Sequence, residues 1–417
     1  MRRLSSTRGA VCGVVLAWSS GAAVAGNIDK QDFKQIERGR YLTIVGDCAA
    51  CHTLPGSGQD FAGGRPIETP FGNILAPNIT PDRQTGIGAW TDDEFVDALQ
   101  KGTGRNGTHL YPAMPYTYYT KVTRDDALAI RAYLNTVPAV SNTVNADQLP
   151  FPFNIRASMI FWNELFFTPG TFRPTAAKSE EWNRGAYLAE GLGHCGACHT
   201  PKNFLGGDKA GERLQGYALQ GWFASDITND DRRGLGGWSV DDIATYLKTG
   251  HSRVGAANGP MSETLSLSTS HMTDADLKAI AIYLKDAPGK NDKQNQGPPA
   301  DQTAMKIGGR IYADQCSGCH GGNGKGAANL FPALDGSSVV QQTDSTSLMH
   351  IVLRGARGVA TDRAPTGAAM PEFGWLLKDD EVAAVLTYIR NSWGNAAPAV
   401  NAAEVGAARH AFEARSD

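Results

Sequence analysis

The stretch GHCGACHT at residues 193–200 sets Cys195 and Cys198 three apart, with His199 directly behind them. The same arrangement stands at 46–53, GDCAACHT, with Cys48, Cys51 and His52. It stands again at 314–321, DQCSGCHG, with Cys316, Cys319 and His320. The chain has 417 residues and seven cysteines, and six of the seven lie in these motifs. The seventh, Cys12, falls in a leader-like N-terminal segment, so the sequence reserves no cysteine for a structural disulfide.

That leader changes what the cysteines mean. Arg2, Arg3 and Arg8 come before the apolar stretch GAVCGVVLAW, and SSGAAVAG then offers an A-x-A site ending at Ala25. This is the order of a secretory signal peptide over residues 1–25, and the apolar stretch is short for a membrane-spanning helix. Removing its three arginines takes the formal charge from −3 to −6. A mildly acidic balance leaves no basic footprint for nucleic acid. In an oxidising compartment paired thiols ordinarily become disulfides. Here each pair carries a histidine, and C-x-x-C-H is the attachment signature of c-type haem. Two thiols three apart reach the two vinyl groups of one porphyrin, and the next residue is then held under the iron as its proximal ligand. A zinc site needs two further ligands per motif, and no matching C-x-x-C or H-x₃₋₅-H accompanies each one. A redox dithiol requires neither the histidine nor three copies.

Around each motif the chain repeats itself. ERGRYLTIVGDC, NRGAYLAEGLGHC and IGGRIYADQC each predict a short helix with a glycine and an aromatic (Tyr41, Tyr187, Tyr312) leading into the cysteines. WTDDEFVDALQKG, WSVDDIATYLKTG and STSLMHIVLRG predict a middle helix with a Ser or Thr N-cap and a closing glycine at Gly102, Gly250 or Gly355. A final helix follows in TRDDALAIRAYLNTV, TDADLKAIAIYLKDA and KDDEVAAVLTYIRNSW, with Tyr133, Tyr283 and Tyr388 at one late position. Thr123 with Asp126, and Thr273 with Asp276, predict capping boxes with Asp in place of Glu. The fold class expected is all-α: three tandem c-type cytochrome domains, each wrapped around a covalent haem. The expected bounds are residues 26–140, 176–288 and 304–395.

Between middle and final helices each repeat has a loop with one methionine: Met114 in YPAMPY, Met261 in NGPMSE and Met370 in GAAMPE. His52 to Met114 and His199 to Met261 are both 62 residues, and His320 to Met370 is 50. Gly or Pro flanks each, which predicts a sulfur outside a helix and free to approach iron; Met/His is a recognised axial pair. Met159, Met272, Met305 and Met349 read as core or linker filler. His109 and His251 are the rival sixth ligands, His194 is poorly placed, and the third repeat has no loop histidine of this kind. Trp90 and Trp238, after NITPDRQTGIGA and DITNDDRRGLGG, either donate an indole N–H to a haem propionate or simply pack.

Residues 289–303 form a polar linker in this reading, and 141–175 an aromatic-rich one with Phe151, Phe153, Phe161, Trp162, Phe166 and Phe167. Arg156, Asn163 and Glu164 interrupt the latter, so it does not read as a transmembrane helix. It reads as packing between domains, with an exposed partner or membrane surface as the alternative. The tail, 396–417, places Val405, Ala408 and Phe412 on one helical face, a weak anchor by itself.

With three C-x-x-C-H motifs, NRGAYL…HCGACHTP, YPAMPY, GPM and the leader, the whole mature chain resembles a known family. It is similar to the three-haem cytochrome c subunit of bacterial membrane-associated dehydrogenases, of the alcohol, gluconate, sorbitol and FAD-glucose dehydrogenase type. The tail is less apolar than the C-terminal anchor of many such relatives. The resemblance implies three covalently bound haem c groups on Cys48, Cys51, Cys195, Cys198, Cys316 and Cys319. It implies His52, Met114, His199, Met261, His320 and Met370 as iron ligands, and no catalytic residues. It further implies a periplasmic electron-transfer subunit at the outer face of the cytoplasmic membrane, peripherally associated with it. Electrons would come from a dehydrogenase catalytic subunit carrying pyrroloquinoline quinone, flavin or molybdopterin, and go to ubiquinone or a terminal oxidase. The alternatives are a free-standing soluble periplasmic carrier and a peroxidase-like haem enzyme, which would need an open iron position.

Overall fold

The computed structural model describes residues 32–145, 149–290, 300–413 and 415. The leader with Cys12 and Ala25, and most of the 289–303 linker, lie outside the described residues. In the first repeat, α1 (Phe33–Val45) starts on Asp32, whose carboxylate accepts the Lys34 and Gln35 amides. A left-handed Asp47, with φ of 52°, turns the chain into the one-turn α2 (Cys48–His52). A two-stranded ribbon follows, β1 (Pro66–Thr69) and β2 (Gly72–Leu75). Next comes α3 (Asp92–Lys101), started by a Thr91–Glu94 capping box and closed by left-handed Gly102. Last are α4 (Tyr116–Tyr119) and α5 (Arg124–Leu134). The aromatic linker holds α6 (Ser158–Phe166).

The second repeat runs α7 (Glu180–Glu190), α8 (Cys195–His199), β3 (Tyr217–Leu219), β4 (Trp222–Ala224), α9 (Val240–Thr249), α10 (Pro260–Leu267) and α11 (Asp274–Lys285). The third runs α12 (Gln302–Ile311), α13 (Ser317–His320), α14 (Thr346–Arg354), β5 (Ala356–Arg357), β6 (Ala369–Met370) and α15 (Asp379–Arg390), and α16 (Ala402–Glu413) follows. The fold is mostly helical. The three small antiparallel ribbons are an addition to the all-α expectation. The β3–β4 ribbon closes on Gln220 and Gly221, both at positive φ, as a two-residue hairpin requires.

In each repeat the first and last helices cross at a glycine. A Cβ on Gly39 would lie 1.8 Å from the Ala129 carbonyl oxygen, one on Gly185 1.9 Å from that of Ala279, and one on Gly308 2.1 Å from that of Ala384. No side chain fits there, so the glycine ahead of each aromatic is what lets the two backbones meet. The final helices differ from expectation in their caps. Thr123 and Thr273 each accept the amide three residues on, but Asp126 and Asp276 do not return the bond to the cap. Their carboxylates face other partners instead.

Those partners join the first two repeats. The Tyr41 hydroxyl donates to Asp276 Oδ2 at 2.6 Å, and the Tyr187 hydroxyl to Asp126 Oδ2 at 2.5 Å. Arg38 reaches Asp126 and Arg184 reaches Asp276. Burial pushes the Asp276 carboxyl up, but the hydrogen bonds from Arg184 and Tyr41 outweigh it and hold the group below its usual range. One continuous core spans both repeats, from Leu42, Ile130 and Leu134 to Leu188, Leu192 and Leu277.

The third repeat has its own core around Tyr312, Leu353, Val385 and Leu386. It meets the second through Trp222 stacked on His350, with ring centroids 3.9 Å apart, and through the Phe223 amide donating to Ser347 Oγ at 2.8 Å. The tail helix packs against this unit. Val405 and Phe412 are buried, and Arg409 pairs with Asp379. The second repeat therefore touches both others, and Arg415 beyond the tail helix pairs with Glu68 on β1 of the first repeat.

Candidate haem sites

Each motif forms a single helical turn after the first long helix of its repeat. In the first two, the residue before the cysteine is left-handed: Asp47, and His194 with φ of 33°. The third lacks that break and instead passes from α12 through one π-helical turn, Tyr312–Cys316, into α13. All six cysteines have free thiols. Burial pushes Cys48 up to about 12, and Cys51, Cys195 and Cys316 to about 11. A reactive redox dithiol needs the opposite shift. Among the described residues no three His, Cys, Asp or Glu side chains converge as a metal cluster.

The histidines share one setting. His52 Nδ1 lies 2.7 Å from the Pro77 carbonyl oxygen, His199 Nδ1 2.6 Å from that of Ser225, and His320 Nδ1 3.0 Å from that of Pro332. A carbonyl can only accept, so Nδ1 carries the proton and Nε2 keeps its lone pair. This is the usual tautomer lock of a metal-ligating imidazole. Burial pushes all three imidazoles below their ordinary range, which keeps them neutral. Two unpaired neutral thiols beside one fixed Nε2 donor fit a covalently attached haem.

The carbonyl-bearing loops are set by short turns. Asn78 Oδ1 accepts from the Thr80 amide at 2.9 Å, and Asp226 Oδ1 from the Thr228 amide at 2.8 Å. The NIT and DIT stretches were visible as a repeat, but their task of aiming Pro77 and Ser225 at a histidine was not. The third repeat reaches the same end through Pro332 without such a turn.

Met114 sits in a turn with its amide on the Tyr111 carbonyl at 3.0 Å and packs on the shared core. Met370 lies on β6 opposite Ala356 and packs on the third core. Met261 departs from expectation: it is the second residue of α10, not a loop residue. Pro260 explains this, since a proline at the first helical position gives up an amide that no helix would use. Gly259, with φ of 56°, makes the entry, and a Cβ there would strike the Trp222 ring at 2.5 Å.

The rival histidines separate. His251 is buried and faces the Val359 carbonyl at 3.2 Å, in the contact with the third repeat. His194 stacks edge-on against Tyr119 and bonds the Leu192 carbonyl. His109 Nδ1 is buried without a partner. Met272 and Met349 are core residues, as expected. Trp238 packs edge-on against Tyr246, and the carbonyl of Trp90 accepts from Arg131.

Comparison with known proteins decides the family. The profile described as Cytochrome c matches residues 36–138 and 305–393. The gluconate 2-dehydrogenase cytochrome c subunit of Pantoea cypripedii is 40% identical, over 96% of this chain and 94% of that protein. The chain belongs to the dehydrogenase cytochrome c subunits. In this family it is also 37% identical to the cytochrome c subunit of the quinone alcohol dehydrogenase of Gluconobacter oxydans (strain 621H), over 92% of this chain and 83% of that one. The fructose dehydrogenase cytochrome subunit of Gluconobacter japonicus is 36% identical, over 88% and 81%.

One cluster of this cytochrome c subunit was missed by sequence reasoning. Arg65 pairs bidentately with Glu263, Nη2 to Oε2 at 2.9 Å, and Nη1 also reaches the Ala50 carbonyl. It thereby ties the Met261 helix to the first motif helix. Asp47 lies beside this pair, with Oδ1 buried and unpartnered. Burial first, then the charge of Glu263, push its carboxyl up to about 7. The partners stand about two hundred residues apart in the chain, so no local pattern announces them.

Proposed function

We propose that this cytochrome c subunit is an exported carrier of three covalent haems, one on each cysteine pair. It takes electrons from a dehydrogenase catalytic subunit of pyrroloquinoline quinone, flavin or molybdopterin type. It delivers them to ubiquinone or a terminal oxidase at the outer face of the cytoplasmic membrane. The observation that carries this reading is the threefold recurrence of one imidazole setting, with Nδ1 held by a carbonyl and Nε2 left over. Bound haem supplies a one-electron ferric–ferrous couple at each site. His52, His199 and His320 would ligate the iron, kept neutral by burial and oriented by the Pro77, Ser225 and Pro332 carbonyls. Met114, Met261 and Met370 would supply the second iron ligand; a thioether favours the reduced iron relative to a second imidazole and so would raise the potential. Three one-electron sites suit a partner that releases two electrons per substrate.

Intact-mass analysis of the exported protein should show a chain beginning after Ala25 plus three haem masses. The haem-loaded subunit alone should oxidise no alcohol or sugar, and the cognate dehydrogenase with its substrate should reduce all three haems. Met114→Ala should open one site to carbon monoxide, whereas His109→Ala should leave carbon monoxide binding as it was. Two haem masses, or substrate oxidation by the subunit without a partner, would overturn the assignment.

A further inference from the structure

The first and second repeats fill the space beside their methionine segments from different sources. In the first, the Tyr116 ring lies over Gly102, where a Cβ would come within 2.7 Å of it, and Tyr116 is wholly buried. That tyrosine stands two residues after Met114 and belongs to the same repeat. Two residues after Met261 the chain has Glu263 instead, and Arg65 of the first repeat holds it by two hydrogen bonds. That position therefore supplies no ring to cover Gly250, the glycine that closes α9 as Gly102 closes α3.

The third repeat supplies the cover. Val359 lies over Gly250, where a Cβ would fall 2.0 Å from Cγ1, and it is buried with Ala257 and Leu265 in one cluster on which Met261 packs. The Val359 carbonyl lies 3.2 Å from His251 Nε2. A carbonyl only accepts, so Nε2 carries the proton there and is not free as an iron ligand. The same ring lies against Gly358, where a Cβ would come within 2.7 Å of Cε1. Gly358 donates its amide to the Ala368 carbonyl at 2.8 Å, next to the β5–β6 pairing that includes Met370. Arg363, on the same hairpin, pairs with Asp274 of α11 at 3.0 Å. Both partners of that pair are exposed, so it adds little. The buried Val359 contact is the stronger hold.

We infer that the hairpin 356–370 of the third repeat is the missing wall of the second repeat's methionine site, with Val359 and His251 as the residues that position Met261. The inference rests on the proposal that Met261 ligates iron. One hairpin then carries Met370 on its stem and braces Met261 with Val359, so the two methionine sites share a support. Without Val359 the flexible thioether of Met261 loses its backing on that side and leaves the metal more readily.

The test is carbon monoxide binding to the reduced, haem-loaded full chain, counted per chain relative to the parent. Met261→Ala should bind one more than the parent. Val359→Ser with His251→Ala should also bind one more, with haem content unchanged and Met261 in place. Adding Met261→Ala to that double variant should leave the count where it was, because both changes open the same site. His251→Ala alone, the milder change, should raise the carbon monoxide affinity of one site at least tenfold. His251→Gln, which keeps a donor near the Nε2 position, should restore the parent value. A double variant that melts lower yet stays closed to carbon monoxide would reduce the contact to packing and overturn the inference. A further site opened by adding Met261→Ala, or His251→Ala with the parent's affinity, would do the same. If Met261→Ala itself bound no more than the parent, the ligand assignment would fall and the inference with it. Should the double variant not fold, the His251 variants decide alone.

Discussion

At the scale of the residue, Asp47 shows how distant neighbours set a local property. Its carboxyl titrates near 7 in the folded chain, against 3.8 ordinarily, because it is buried beside Glu263. Between those values the folded protein holds a proton that the unfolded chain has released, so folding loses stability as pH rises from about 4 to 7. Each unit of pH across that window costs up to about 1.4 kcal/mol. Asp47→Asn carries no charge at any pH. It should match the parent near pH 4 and exceed it by on the order of 2–4 kcal/mol at pH 8. Denaturation midpoints of the haem-loaded protein at both pH values check this, and a gap that did not widen with pH would refute it. The shared setting of the three histidines, by contrast, was foreshadowed in the sequence, because each follows the same C-x-x-C spacing. Asp47 was not, because Glu263 and Arg65 reach it only through the fold.

At the scale of the element, the crossings at Gly39, Gly185 and Gly308 fix where the long helices meet. Alanine would ordinarily improve a helix interior by up to about 1 kcal/mol. Here its methyl would overlap a backbone carbonyl that cannot rotate away. Gly185→Ala should therefore destabilise the protein by about 3 kcal/mol and lower its melting temperature, while Gly170→Ala, in open space, should leave it nearly unchanged. Equal melting of the two variants would show that the crossing tolerates a methyl. The helices themselves were legible from apolar spacing, caps and closing glycines. Two local features misled. The Thr–Asp pairs looked like complete capping boxes, yet tertiary partners claimed the carboxylates. Gly-Pro before Met261 read as a loop, although a proline is equally suited to begin a helix. The paired ribbons escaped notice because strands of two to four residues carry almost no periodic signal.

At the scale of the whole molecule, the second repeat touches both others, and it does so differently on its two sides. Toward the third it offers Trp222, Phe223 and His251. Toward the first the exchange is reciprocal: the tyrosine of each repeat is bonded to the aspartate of the other, and each arginine stays with its own aspartate. The sequence showed the equivalent positions but not that they meet, because a repeat pattern is silent on whether copies face one another. Reciprocity of that kind is the property of a two-fold homodimer, in which one patch is its own complement. The first repeat by itself carries both halves, Tyr41 and Asp126. Residues 26–145, loaded with haem, should associate into symmetric pairs at micromolar concentration in sedimentation, and Tyr41→Phe with Asp126→Asn should leave single copies; a monomeric parent fragment would count against it. The front two-thirds of this cytochrome c subunit then has the form of a two-fold pair whose two halves are carried on one chain.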